Sequence, residues 1–273
     1  MNNVVIAGVG LIGGSFALAI RKAGFSGTIT GVSSAAAIAE ALERGVIDRA
    51  STLEETVPSA DLIYLAQPIG RILHSLAQVD RYAKPGALIT DAGSTKQAIV
   101  TEARRSVHNA RFLGGHPMAG KETRGASAAD AELFRNRPYV LTPADPEEVD
   151  PRFLEMLHAI GARPVIMGAA EHDRLVAASS HVPQLASTAL AATLGAHFPE
   201  AVQVAGPGLV DSTRLALSSY DLWRDILSTN TVAIEEALSA YIQKLEHIRE
   251  NLRTRQLQDE FTEGARFARR LRD

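Results

Sequence analysis

The stretch VVIAGVGLIGG, residues 4 to 14, constrains this chain more than any other. An apolar, β-branched run from Val4 to Ala7 leads straight into glycines at 8, 10 and 13, and SFALAIRKAG follows with the composition of a helix ending at Gly24. The order is strand, G-x-G-x-x-G, helix. Gly8 permits the tight turn, Gly10 lets the backbone approach a pyrophosphate, and Gly13 lets the helix lie against the strand, while the helix N-terminus faces the anion. A second strand, TITGVS, follows at the spacing such a unit needs. The context favours a dinucleotide site over a merely structural glycine turn.

The alternation continues. AAIAEALERG reads as a helix, VID as a short strand, ADLIYLAQP as a strand, IGRILHSLAQVDRYA as a helix, GALITDAGS as a strand and TKQAIVTEARRS as a helix. ARFLGGHP reads as a strand passing into a loop, RPYVLTP as a strand, and PRFLEMLHAIGARPVIM as a helix and then a strand. Strands and helices in this rhythm build a mostly parallel, doubly wound α/β sheet. Beyond Met167 the strand-like runs stop and long apolar-periodic stretches take over. Residues 1–168 are therefore expected to form the nucleotide domain and 169–273 an all-helical domain, with a cleft between them. LSTNTVAIEEALSAYIQKLEHIRENL predicts one long helix over 227–252, with more apolar positions than a single surface stripe requires.

With 273 residues, 46% hydrophobic and 22% charged, the chain can build its core without staples, and the absence of cysteine excludes disulfides and thiolate metal sites. No apolar run approaches the ~20 residues that span a bilayer. The first strand-like run starts at Val4, which leaves no room for a signal peptide, so the chain reads as cytoplasmic. A net charge of −3 gives no general attraction to nucleic acid, and an anionic ligand would have to be held by local cations.

Further stretches fall where a ligand would lie, beyond the carboxyl ends of the strands. In GGHPMAGKETRG, 114 to 125, glycine and proline exclude a long regular helix or a central strand, so His116 is expected on a loop. In DAGSTK, Ser94 opens S-x-x-Q with Gln97, a capping box, and two readings stay open: helix cap alone, or cap together with substrate contact. EHDRLVAASSHVPQLAS carries His172, His181 and Pro183 inside a helical pattern. An interior proline costs ~3 kcal/mol or more and predicts a kink. For His181 the plainer alternative is a hydrogen-bonded interior histidine.

Taken in order and at these separations, GVGLIGGS, DAGSTK, GGHPMAGKETRG, HDRLVAASSHVPQ and DSTRLA resemble the prephenate dehydrogenase family of tyrosine biosynthesis, over nearly the whole chain from Val4. The resemblance implies a Rossmann-like N-terminal domain, a helical domain that dimerises, and oxidative decarboxylation of prephenate to 4-hydroxyphenylpyruvate with a nicotinamide cofactor. By the family's habit that cofactor is NAD, with NADP accepted. His116 is then the base for the substrate hydroxyl, since a neutral histidine titrates near working pH, and Ser94 hydrogen-bonds the same oxygen. Arg214 in DSTRLA corresponds to the arginine that grips a carboxylate, His181 to a substrate contact, and Glu122 to a loop acid that orders the site. Lys121, like Lys96, is an anion neighbour on this reading and a solvated lysine on the plainer one. The cofactor contacts are Gly8, Gly10, Leu11, Ile12 and Gly13, with Ser33, Ser34, Gln67 and Pro68. No metal is called for, nor a fused mutase or regulatory ACT domain.

The pattern departs from expectation at one place. The second strand should end in an acid that holds the ribose 2′-hydroxyl of NAD, but TITGVSSAAA puts Ser33 and Ser34 there, which neither repel nor attract a 2′-phosphate. Arogenate in place of prephenate is the nearest alternative substrate. More remote are another β-hydroxyacid-type dehydrogenase and a non-catalytic dinucleotide sensor.

Overall fold

A computed structural model describes residues 1–121, 123, 125–143, 149–254 and 256–272. In it, β1 (Asn3–Ala7), β2 (Thr28–Val32), β3 (Arg49–Ala50), β4 (Leu62–Leu65), β5 (Leu88–Asp91), β6 (Arg111–Pro117), β7 (Pro138–Thr142) and β8 (Arg163–Ile166) form one sheet in the order β3-β2-β1-β4-β5-β6-β7-β8. Pairing is parallel except between β6 and β7. Helices α1 (Leu11–Lys22), α2 (Ala35–Glu43), α3 (Leu53–Thr56), α4 (Ile69–Tyr82), α5 (Gln97–Ser106) and α6 (Pro151–Ala159) connect the strands.

The continuous apolar runs make sense as strands buried on both faces. Val4, Ile6, Leu62, Tyr64 and Leu88 face one core, with Phe16 and Ile20 of α1 and Phe153 and Leu157 of α6. Their neighbours Val5, Ala7, Ile63, Leu65 and Ile89 face the other, with Ile72 and Leu76 of α4 and Ile99 of α5. A step of one residue changes face, as the pleat demands.

Two local expectations are corrected. The short strand forms at Arg49–Ala50 and not at VID, because Val46 and Ile47 are drawn into the core, and the Asp48 carboxylate accepts from Ile29 N–H at 2.7 Å. His116 lies within β6 and not on a loop. β6 runs parallel to β5 through Leu113 and antiparallel to β7 from Gly114, with His116 opposite Val140. The glycines permit that change of partner: a Cβ on Gly114 would sit 2.3 Å from Thr142 Oγ1, and one on Gly115 2.6 Å from the Asp91 carbonyl oxygen.

Beyond β8 the described elements are helical: α7 (Ala169–Val176), α8 (Val182–His197), α9 (Pro207–Thr213), α10 (Tyr220–Thr229), α11 (Thr231–Asn251) and α12 (Gln258–Arg270). None of the described helices is long and apolar enough to cross a membrane. Pro183 follows a π turn within a helical run that is continuous from Ala169 to His197. Residues Ala177–His181 are wound as a π turn, closed by Val182 N–H to the Ala177 carbonyl, and Pro183 is the second residue of α8. The helix expected over 227–252 is also divided, α10 ending and α11 beginning on either side of Asn230. On α11 Ile234 is buried, while Val232, Tyr241, Ile242 and Leu245 are exposed, as are Phe261 and Phe267 of α12. The helical half docks over α4 and α5, with Ile226 joining the second core and Trp223 packing against it.

Closeness of α1 to β1 gives a test. A Cβ on Gly13 would lie 2.1 Å from the Gly8 carbonyl oxygen and 2.8 Å from Ile6 Cγ2. Gly13→Ala should therefore lower the free energy of unfolding by about 1–3 kcal/mol despite alanine's better helix propensity, and an unchanged urea midpoint would contradict this packing.

Candidate active site

Strand order reverses beside β1, which has β2 on one side and β4 on the other, and the crevice at such a switch point is where this architecture binds ligands. The glycine loop fills its floor. Gly8 adopts φ +94, donates its N–H to the Val32 carbonyl at 2.8 Å, and approaches the β4 end so closely that a Cβ would stand 2.4 Å from the Ala66 carbonyl oxygen. Helix α1 starts at Leu11 after Gly10 with no side chain capping it, so the N–H groups of Leu11, Ile12 and Gly13 are its opening donors. Nothing lies within 4 Å of where a Gly10 Cβ would be. Open space at an uncapped helix N-terminus fits a pyrophosphate. Gln67 flanks Gly8, its Oε1 buried without a hydrogen-bond partner, and Pro68 is the N-cap of α4. Beyond Val32, Ser33 is exposed and Ser34 caps α2 by accepting from Ala37 N–H at 3.4 Å.

The next wall is organised by Asp91. Its carboxylate, fully buried, accepts from Gly93 N–H at 2.8 Å and Gly115 N–H at 3.1 Å and pairs with the ammonium of Lys96, so one side chain ties the DAGSTK turn to the strand carrying His116. Lys96 is thus neither solvated nor a free anion neighbour. Burial pushes its ammonium below the ordinary lysine range while Asp91 opposes that shift. Removing one partner of such a pair strands the other charge, typically at a cost of about 3–5 kcal/mol.

Ser94 is half-buried and does not cap α5. The cap comes from the helical half: the Asp173 carboxylate accepts from Lys96 N–H at 2.7 Å through Oδ1 and from Gln97 N–H at 2.9 Å through Oδ2. A two-oxygen acceptor satisfies two orphan donors where a serine would satisfy one. Asp173 Oδ1 also lies 2.7 Å from His172 Nδ1, and His172 Nε2 lies 2.8 Å from His116 Nδ1. The His116 and His172 rings meet edge to face. His116 is half-buried, and its pKa is held well below 6.5 by burial first, then by His172, Lys96 and His181.

His181 ends the π turn and is buried, its Nδ1 3.3 Å from Asn230 Nδ2 and its ring edge-on to Trp223. Asn230 also donates to the Asp173 carbonyl at 2.8 Å, which is what the break between α10 and α11 accomplishes. Burial pushes His181 down to about 4. Arg214 opens an exposed 3-10 turn, Arg214–Leu217, held on α8 by Gln184 Nε2 donating to the Leu215 carbonyl and Ala216 N–H donating to Ser187 Oγ. Lys121 is partly exposed and pairs with Asp130 at 2.8 Å. Glu122 lies outside the described residues. Spacing alone did not single out Asp91, Asp173 or Asn230, and it left His172 without a role; the available signal was polar residues at core positions of apolar-periodic segments.

Residues 16–166 match the family model "Prephenate dehydrogenase, nucleotide-binding domain" and residues 168–267 match "Prephenate dehydrogenase, dimerization domain". The prephenate dehydrogenase of Lactococcus lactis is 36% identical over 254 residues, covering 91% of this chain and 70% of the relative. The crystal structure of prephenate dehydrogenase from A. aeolicus in complex with hydroxyphenyl propionate and NAD+ superposes with a TM-score of 0.90 at 29% identity, covering 100% of this chain and 99% of that one. Synechocystis arogenate dehydrogenase gives 0.81 at 31% identity, covering 99% of each chain.

The two depressed histidines set a pH dependence of stability. Folding keeps His116 and His181 neutral below their ordinary value of 6.5, whereas the unfolded chain takes up protons there, so the unfolded state binds more protons on the acid side. Their contribution is complete above pH 6.5 and declines as pH falls below it, for His181 down to about 4. Urea midpoints measured as pH falls below 6.5 should drop, and His116→Asn should make that decline shallower.

Proposed function

The chain belongs to the prephenate dehydrogenase family, and from that premise we propose that it oxidatively decarboxylates prephenate to 4-hydroxyphenylpyruvate with NAD, in tyrosine biosynthesis, using His116 as the base. The observation that carries the reading is the position of His116 at the carboxyl end of the sheet, kept neutral and held from behind through Nδ1. In the cysteine-free sequence we see a cytoplasmic enzyme. Its helical half pairs two copies into a homodimer, for which the exposed apolar faces of α11 and α12 are suited.

The cofactor would be held by the loop from Gly8 to Gly13, with the pyrophosphate over Gly10 and the first N–H groups of α1, and with Gln67, Pro68, Ser33 and Ser34 around it. When bound, NAD would supply the acceptor for a hydride leaving the ring carbon that bears the hydroxyl. His116 accepts the hydroxyl proton, so the C–O bond becomes a carbonyl, and loss of carbon dioxide from the opposite carbon then aromatises the ring. Ser94 stands on the turn between Asp91 and α5 and would donate to the same oxygen. Arg214 would hold a substrate carboxylate through its planar guanidinium, with His181, Lys121 and Glu122 around the remainder.

Arogenate is the second reading, favoured by the likeness to the Synechocystis enzyme. It differs from prephenate by an amino group in place of a keto group, remote from the ring hydroxyl, so the same residues would serve. Catalytic efficiency on prephenate and arogenate, each with NAD and NADP, tests both readings; no turnover with either substrate would refute them.

Two variants separate the proposed roles. His116→Asn should keep the fold and cut kcat by about 100-fold or more, the scale of a lost general base. Arg214→Ala should chiefly raise KM for the substrate, because a carboxylate clamp holds ground and transition states alike. A change confined to KM for NAD would move Arg214 to the cofactor site.

A further inference from the structure

Resting on the reading of His116 as base, we propose that His172 is a positioning residue that fixes the tautomer of His116, so that the nitrogen left bare is Nε2. The geometry admits one neutral arrangement. Asp173 accepts from two backbone N–H groups, and its Oδ1 also lies 2.7 Å from His172 Nδ1, so the hydrogen between them belongs to His172. A neutral imidazole that donates through Nδ1 accepts through Nε2. That Nε2 stands 2.8 Å from His116 Nδ1, so the hydrogen in this second bond must come from His116. Neutral His116 therefore carries its proton on Nδ1 and presents a lone pair on Nε2.

An imidazole without such a partner can carry its proton on either nitrogen, and with the proton on Nε2 it would be a donor unable to take the substrate's proton. The order of groups resembles the carboxylate and histidine of a hydrolase triad, with a second histidine interposed. In the reaction the substrate O–H bond breaks and the His116 Nε2–H bond forms. The Nδ1–H of the resulting imidazolium remains bonded to His172, whose own Nδ1–H stays on the Asp173 carboxylate, so the new positive charge faces an anion through one ring. Burial of His172 and Asp173, each 1% exposed, keeps water from supplying a substitute acceptor.

Nitrogen-15 NMR of histidine-labelled wild type reads the tautomer directly, with the His116 signals identified by their loss in His116→Asn. The expected pattern is a protonated Nδ1 and an unprotonated Nε2. Kinetics supply the second reading. His172→Leu should lower kcat by about 100-fold or more, with KM for NAD little changed. His172→Gln offers a side-chain carbonyl that can accept from Nδ1–H without being able to titrate, and should recover kcat to within about tenfold of wild type. Wild-type His116 protonated on Nε2, a His172→Leu variant with undiminished kcat, or a His172→Gln variant no better than His172→Leu would each overturn the proposal. Failure of the wild type to turn over prephenate or arogenate would count instead against the reaction, and the tautomer would remain measurable.

Discussion

One carboxylate holds the two halves of this molecule in working relation. Asp173 comes from the first helix after the sheet and closes the N-terminus of α5, 77 residues earlier, on Lys96 and Gln97 N–H. Buried helix ends need such a partner, because an unsatisfied N–H away from water costs about as much as a lost hydrogen bond. The same side chain holds His172, and through it the ring of His116. Asp173 therefore contributes at once to the contact between the halves and to the alignment of the site.

Asp91 does for the sheet what Asp173 does between the halves. Its bonds to Gly93 and Gly115 and its pairing with Lys96 bring the turn after β5 and strand β6 to a common point. Glycine at 93 and 115 is what admits the approach. A Cβ on Gly93 would sit 2.5 Å from Ile99 Cδ1, and one on Gly115 would strike the Asp91 carbonyl. The irregular composition of GGHP thus serves a strand that must change partners and stay close to a neighbour, and not a loop.

That distinction marks where the sequence was legible. The alternation of β-branched runs with helical periods fixed the sheet, its parallel character and the helical second half, because both signals are local and repeat over many residues. The glycine loop was legible because its turn, its approach to β4 and its helix start all lie within six residues. Ser94 was misassigned as the cap since S-x-x-Q is a local rule and the true cap is contributed from 77 residues away. The helix expected over 227–252 is divided at Asn230 because that side chain serves Asp173 and His181 at the expense of helix continuity. At Ser94 and Asn230 it was a distant contact at the site that overruled local propensity.

A second carboxylate repeats the pattern: Asp225 of α10 accepts from Gly70 N–H at 2.9 Å, at the start of α4. With the two bonds to Asp173, three backbone donors of the sheet half are engaged by acids of the helical half. A hinge that swung the halves apart would release all of them together. At about 1.5 kcal/mol for each bond to a charged group, that amounts to roughly 4.5 kcal/mol, or about one molecule in two thousand open at a given moment. Acids of the helical half thus latch the two halves at the starts of both α4 and α5.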